Sequence, residues 1–477
     1  MTHRVLGAAL VSTTLAAATA AAQAKPAGIP PIRPLGPIVR VSSDNLDYIA
    51  SIRVLSDGRV LVNDSRGKRV VLFDSSLTHL STVADTTGAT TRAYGASGGW
   101  LFPFTGDSSL FADNASLSFL VIDPAGKIGR VMAAPRGSGG QLAYLSTAFV
   151  DPQGRVVSRQ TAAAAARMGG AGRAGAPGVG GVAASSGGAR GGGGGGGGAG
   201  GGAPGGSGAG GVTLASPDPN APPVVTRDST VILRVDIETK KMDSATWLMS
   251  PPNARVTVSI PGGGFMMSVL RNPMPASDAW TMMPDGTIAA VREHDYHVDW
   301  IAPDGAVTST PKIAHEWTPV TDSMKAAILD SVQRADSASM IVARARLDSM
   351  TKASGRGNDG TFIVVDGVGL SSSGGTAQMP RYMDPDELPS YAPPFPQSDT
   401  LGASPVRADA DGNLWIRVNL PKRPEGGFVY DVVNRHGTLV DRIQIPGGTN
   451  LIGFGPGVAY LISREGAGYK LARARIR

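Results

Sequence analysis

The chain has 477 residues and no cysteine, so no disulfide contributes to its fold and no thiolate can bind a metal or attack a substrate. Its formal charge of +6 is a small excess for this length, carried largely by scattered arginines, which excludes the basic, aromatic-interleaved stripe of a nucleic-acid surface. With 65 glycines and a charged fraction of 17%, part of the chain does not build core.

Arg4 is followed by an apolar run from Val5 to Ala22 and the small-residue tripeptide Ala22-Gln23-Ala24. This is the charged start, apolar middle and cleavage site of a secretory signal peptide, so residues 1–24 are expected to be removed and the rest exported to the periplasm or the outside. No later segment is long and apolar enough for a membrane span.

From Arg53 onward a repeat is legible. Arg53 to Asp74 reads as a strand, the Asp57-Gly58 turn, a strand Arg59 to Asn63, a polar turn Asp64 to Lys68, and a strand Arg69 to Phe73. The pattern recurs with strands Leu110 to Ala112 and Leu117 to Ile122, and again with Arg155 to Ser158 and Val231 to Asp236. A fourth copy has Asp285-Gly286, Thr287 to Val291 and His297 to Ala302. A fifth has Asp411-Gly412, Leu414 to Val418 and Phe428 to Val433, and a sixth Val458 to Ile462 and Tyr469 to Arg475. The first turns fall at residues 57, 107, 151, 285, 411 and 455, so uninterrupted copies are 44 to 50 residues apart, the length of a four-stranded blade.

Copies of this kind bury both faces only by stacking into a closed ring. The expected fold is all-β: residues 25–477 form a single six-bladed β-propeller, carrying a Gly-rich disordered insertion at 161–223 and a helical and extended insertion at 315–400. The last copy lacks an outer strand, which Ile38 to Ser42 is expected to supply.

Thr161 to Pro223 is dominated by Gly, Ala and Ser and buries too little apolar surface to order itself. Thr321 to Met350 lacks Gly and Pro, has Thr321 or Asp322 as a cap, and spaces Met324, Ile328 and Val332 along one helical face. Leu388 to Phe395, rich in proline, is expected to be an extended strap. The first insertion sits between the second and third strands of a blade and the second between two blades, so both leave on one rim.

The strings Arg69-Val70-Val71-Leu72-Phe73-Asp74 and Asp409-Ala410-Asp411-Gly412-Asn413-Leu414-Trp415 resemble bacterial six-bladed propellers of the NHL and lactonase-like group. That resemblance implies, for lactonase-like members, a central metal held by Glu, Asn and Asp from inner strands. Here the corresponding strands carry mostly Ala, Ser, Thr and Arg, so no cofactor is expected; Ca2+ belongs only to an alternative reading as a metal-dependent lactonase or esterase.

The densest polar cluster is Glu293-His294-Asp295-Tyr296-His297, in the turn between strands two and three of the fourth copy. Histidine with carboxylate can hold a metal or move protons, but this spacing matches no metal signature, which leaves Glu293, His294, Tyr296 and His297 as candidates for ligand or partner contact. Arg53, Asp278 and Arg407 stand at inner strands and are candidates either for an anionic ligand in the channel or for structural ion pairs. Trp100, Trp280 and Trp415 read as core. Gly95-Ala96-Ser97-Gly98-Gly99 matches a nucleophile elbow in letters but lies in an all-β repeat, without the strand-turn-helix that motif requires.

With no catalytic motif, the expected role is a monomeric scaffold binding an unidentified protein or small-molecule ligand.

Overall fold

A computed structural model describes residues 28–476 apart from 92, 96–98, 134–147, 162–223, 228–229, 240, 251, 260–264, 355–361, 366–367, 372–381, 398–403 and 423. The expected signal peptide at residues 1–24, residues 162–223 of the Gly-rich insertion and positions 96–98 of the Gly-x-Ser-x-Gly string lie outside the described residues.

The chain forms a six-bladed β-propeller. Blade 1 is Ile49–Val54, Val60–Asp64, Arg69–Phe73 and His79–Ala84; blade 2 is Gly99–Pro103, Ser109–Asp113, Ser118–Ile122 and Ile128–Ala133. Blade 3 is Phe149–Val150, Arg155–Thr161, Thr230–Asp236 and Met242–Leu248; blade 4 is Ala279–Met282, Ile288–Arg292, His297–Ile301 and Val307–Ser309. Blade 5 is Val406–Ala408, Leu414–Arg417, Val429–Val433 and Leu439–Gln444. Blade 6 takes Thr449–Gly455, Val458–Glu465 and Gly468–Arg475 from the end of the chain, and its fourth strand from the beginning: β2, Ile38–Val41, pairs antiparallel with Gly468–Arg475.

The N-terminal segment does more than close the ring. Strand β1, Ile32–Pro34, adds to the outer edge of blade 5 in parallel, making it five-stranded, and Ile29 enters the core between blades 4 and 5. One short stretch thus crosses three blades in succession, held also by an Arg33–Asp441 ion pair.

Alternation of side chains along each strand explains the core. In the second strand of blade 4, Ile288 and Ala290 pack toward blade 3, while Ala289 and Val291 pack toward blade 5. Among the described residues six principal hydrophobic clusters result, one in each gap between neighbouring blades. Trp415 and Trp280 are buried in these gaps, and Trp100 packs partly buried against one of them.

The turns follow a rule visible in the sequence. In several of them Asp or Asn starts the turn, its carboxyl or amide oxygen accepts main-chain N–H groups two and four residues on, and the residue three positions on is left-handed. Asp151 does this with Gln153 and Arg155, Asp409 with Asp411 and Asn413, and Asn434 with His436 and Thr438. Gly154, Gly412 and Gly437 take the left-handed position, with φ of 79°, 83° and 78°.

Antiparallel strands send the connection between strands two and three, and the connection from one blade to the next, to the same rim. Three insertions leave there. Alongside the 162–229 segment of blade 3 and the long excursion between blades 4 and 5 there is a third that the repeat spacing did not reveal: Pro252–Ser259 and Phe265–Leu270, between blades 3 and 4, which pair with Val224–Arg227 as a separate three-stranded sheet. Among its described residues the excursion between blades 4 and 5 contains one α-helix, α1, Asp322–Ser354, capped by Thr321, whose Oγ1 accepts from Met324 N at 3.3 Å. Its buried stripe runs through Lys325, Leu329, Asp336 and Ala343, one residue out of phase with the expected Met324 face, because Leu329 packs on Met383 and Leu388 and leaves Met324 in solvent. The Leu388–Phe395 strap is extended, bonded through Val320 N to Ser390 O and Ala392 N to Thr318 O. Among the described residues no helix is long and apolar enough to cross a membrane.

Candidate functional site

On the rim that carries the insertions, the turn Glu293–Tyr296 of blade 4 organises a chain of paired charges. Asp278, only 4% exposed, stands just before the inner strand of blade 4. Its Oδ2 accepts from Met249 N at 2.9 Å and from Arg292 Nη1 at 2.7 Å, and its Oδ1 accepts from Glu293 N at 3.1 Å. Arg292 then donates through Nε to Asp299 Oδ2 at 2.7 Å. Asp299 Oδ1 receives Ser309 Oγ at 2.5 Å and lies 3.3 Å from His297 Nε2, whose Nδ1 meets Asp295 Oδ1 at 2.5 Å. Arg159 of blade 3 approaches the same rim and is held by Thr230 and Ser250.

The electrostatics follow from this pairing. Burial disfavours the Arg292 charge, but its bonds to Asp278 and Asp299 outweigh that and hold it above its ordinary value. Burial likewise works against the Asp299 carboxylate, and Ser309 and Arg292 overcome it to leave the value lowered. Glu293 is the exception. Burial and then the nearby Asp278 charge raise its value, with His294 acting the other way, so this half-buried carboxyl retains its proton more readily than a solvated glutamate does.

The sequence candidates separate into four places. Asp278, Glu293 and His297 come together in the rim network, and His294 is exposed beside it. Tyr296 turns inward, is fully buried, and donates to Asp431 Oδ2 at 3.1 Å. Arg53 lies at the opposite rim, where Nη2 meets Asp107 Oδ1 at 2.9 Å and ties blade 1 to blade 2. Arg407 is half-buried on the inner strand of blade 5, opposite Trp415 in register.

Sequence reasoning missed Arg292, Asp299 and Arg159, and also a second, interior cluster around Tyr296. There Asp431 Oδ1 accepts from Arg442 Nε at 3.0 Å, and His315 packs edge-on against Tyr296 and Trp317. Burial pushes the Asp431 carboxyl up to about 6 against the pull of Arg442, and burial followed by the Arg442 charge brings His315 down to about 4. The left-handed φ of 51° at Tyr296 is a turn feature, since Lys68 and Leu117 hold the same turn position in blades 1 and 2 at 50° and 52°. The Arg292 and Asp299 pair had one signal, because a strand ending in Arg beside a strand with Asp at its third position brings opposite charges onto neighbouring strands.

Among the described residues no group of three or more His, Asp or Glu is placed to hold a metal ion. The rim chain instead consumes its charges internally, and leaves Glu293, His294 and the exposed Trp247 and Met249 facing outward.

No family model matches the chain, and no curated protein matches it. Solved structures do. A gluconolactonase from Xanthomonas campestris is 10% identical, with 93% of this chain and 99% of that one covered and a TM-score of 0.34. A virginiamycin B lyase from Staphylococcus aureus is 9% identical, covering 91% and 99%, with a TM-score of 0.34. A member of the DUF4221 family from Bacteroides vulgatus is 10% identical, covering 91% and 94%, with a TM-score of 0.38. Scores this low carry no argument about activity or substrate; the propeller itself stands on the strand pairing.

Proposed function

We propose that this protein is an exported, non-catalytic propeller that binds a partner through its decorated rim. One observation carries the reading: the three long insertions leave from one rim, while the turns between first and second strands on the other rim are tight Asp- and Gly-based turns. The rim charges are already paired with one another, as expected of a rigid platform and not of groups held ready for reacting atoms.

The test is photo-cross-linking in the native host from His294, on the decorated rim, and from Asp57, on the other. An adduct from His294 alone supports the reading. Equal adducts from both rims, or turnover of a lactone or ester that is abolished in Glu293→Gln, would overturn it.

A further inference from the structure

The decorated rim carries a cleft of its own, of about 450 Å³, between helix α1 and the segment Tyr382–Pro385. It shares no residue with the Asp278 network. Its floor is apolar, since Leu329 and Met383 line it and are buried against each other and Leu388. Its sides are acidic, with Asp330 on the helix and Asp384 facing it across the cleft, both exposed, and with Asp386 and Glu387 just beyond. Among the described residues no lysine or arginine lines it. Lys325 is buried on the helix near Asp322, and Arg334 turns back to donate to the Asp330 main-chain carbonyl.

The cleft is also preformed. Asp336, 2% exposed, is bound by Arg271 Nη1 at 2.7 Å and by the Tyr382 hydroxyl, and Met383 N donates to Arg271 O at 3.1 Å. Arg271 belongs to the insertion between blades 3 and 4, whereas Asp336 and Tyr382 belong to the excursion between blades 4 and 5. Two insertions are therefore fastened together before any ligand arrives, and the ordering cost of binding is reduced.

We propose that this cleft is the docking site for a basic, partly apolar peptide segment of the partner protein, its apolar side chain resting on Leu329 and Met383 and its lysines or arginines meeting Asp330 and Asp384. This rests on the binding-scaffold reading and specifies where and by what chemistry the partner is held. A neutral apolar segment would leave the acidic sides without counter-charges, and an acidic one would be repelled.

The chain has no cysteine, so single fluorophores can be placed cleanly at Gln333→Cys, in the cleft, and at His294→Cys, elsewhere on the rim. The probes are a short amphipathic lysine-leucine peptide and its glutamate-leucine counterpart, titrated into the full-length protein. The expected result is a response at the Gln333 label to the lysine peptide only, weakened about tenfold by Asp330→Lys with Asp384→Lys and weakened again by added salt. Both substituted side chains are exposed, and an unchanged melting temperature verifies folding. Equal binding of both peptides, indifference to the double charge reversal, or no response at the Gln333 label would overturn the proposal. A response at the His294 label alone would overturn the cleft while leaving the binding rim intact.

Discussion

Tyr296 donates its phenol hydrogen to Asp431 at 3.1 Å across the boundary between blades 4 and 5, with both side chains at most 1% exposed. The same turn therefore presents Glu293 and His294 outward and anchors itself inward. Tyr296→Phe removes one hydrogen bond and should cost about 1–2 kcal/mol. Asp431→Ala also strands the buried Arg442 charge and should cost about 3–5 kcal/mol. Denaturant unfolding of the two variants measures the gap; equal losses would mean that Arg442 is compensated elsewhere.

His315 is brought down to about 4 by burial, below the ordinary value near 6.5. Between those values the unfolded chain binds a proton that the folded chain refuses, so this residue's contribution to stability falls as pH drops through the window, by about 3 kcal/mol at most. Asp431, pushed up to about 6, acts in the opposite sense over the lower part of the same range. The informative measurement is thus the difference between His315→Phe and the native protein at pH 7 and at pH 4.5. The variant should lose less stability on acidification.

Asp278→Ala should loosen the rim without unfolding the ring, because the main-chain N–H groups of Met249 and Glu293 lose their acceptor. Hydrogen exchange at those two positions should accelerate at least about tenfold, while the strands of blades 1 and 6 keep their protection. Uniform acceleration across all six blades would instead mark Asp278 as a global stability residue.

Removing residues up to Gly36 takes away β1, the Arg33–Asp441 pair and the buried side chains Ile29 and Leu35, but spares β2 and hence ring closure. The two apolar side chains alone set an expected loss of about 3–6 kcal/mol. Extending the removal through Val41 deletes the outer strand of blade 6 and should abolish folding. Melting curves of the two truncations check the order.

Most of the fold could be read from the residues because blades are local. Strand alternation and Asp-x-x-Gly turns lie within a few positions of each other, so Arg69–Phe73 matches its expected bounds and Val60–Asp64 differs by one residue. The sheet of Pro252–Ser259 and Phe265–Leu270 escaped notice because it pairs with Val224–Arg227, from a different insertion, and local pattern carries no trace of that partner. The helix face came out one residue off for the same reason, since Leu329 is buried only because Met383 arrives from some fifty residues later.

The site divides along the same line. Length, composition and repeat determined a closed ring with its insertions on one rim, since strand parity alone decides which connections emerge together. Which polar residues meet was decided by the tertiary structure. Glu293 to His297 are consecutive, yet the turn sends Tyr296 to Asp431, 135 residues away, and His297 to Asp295 and Asp299, while Arg53, level with Asp278 in the sequence reading, lies at the other rim with Asp107. Side-chain direction follows local backbone geometry, but the partner it finds depends on which blade packs alongside, and that is a property of the closed ring.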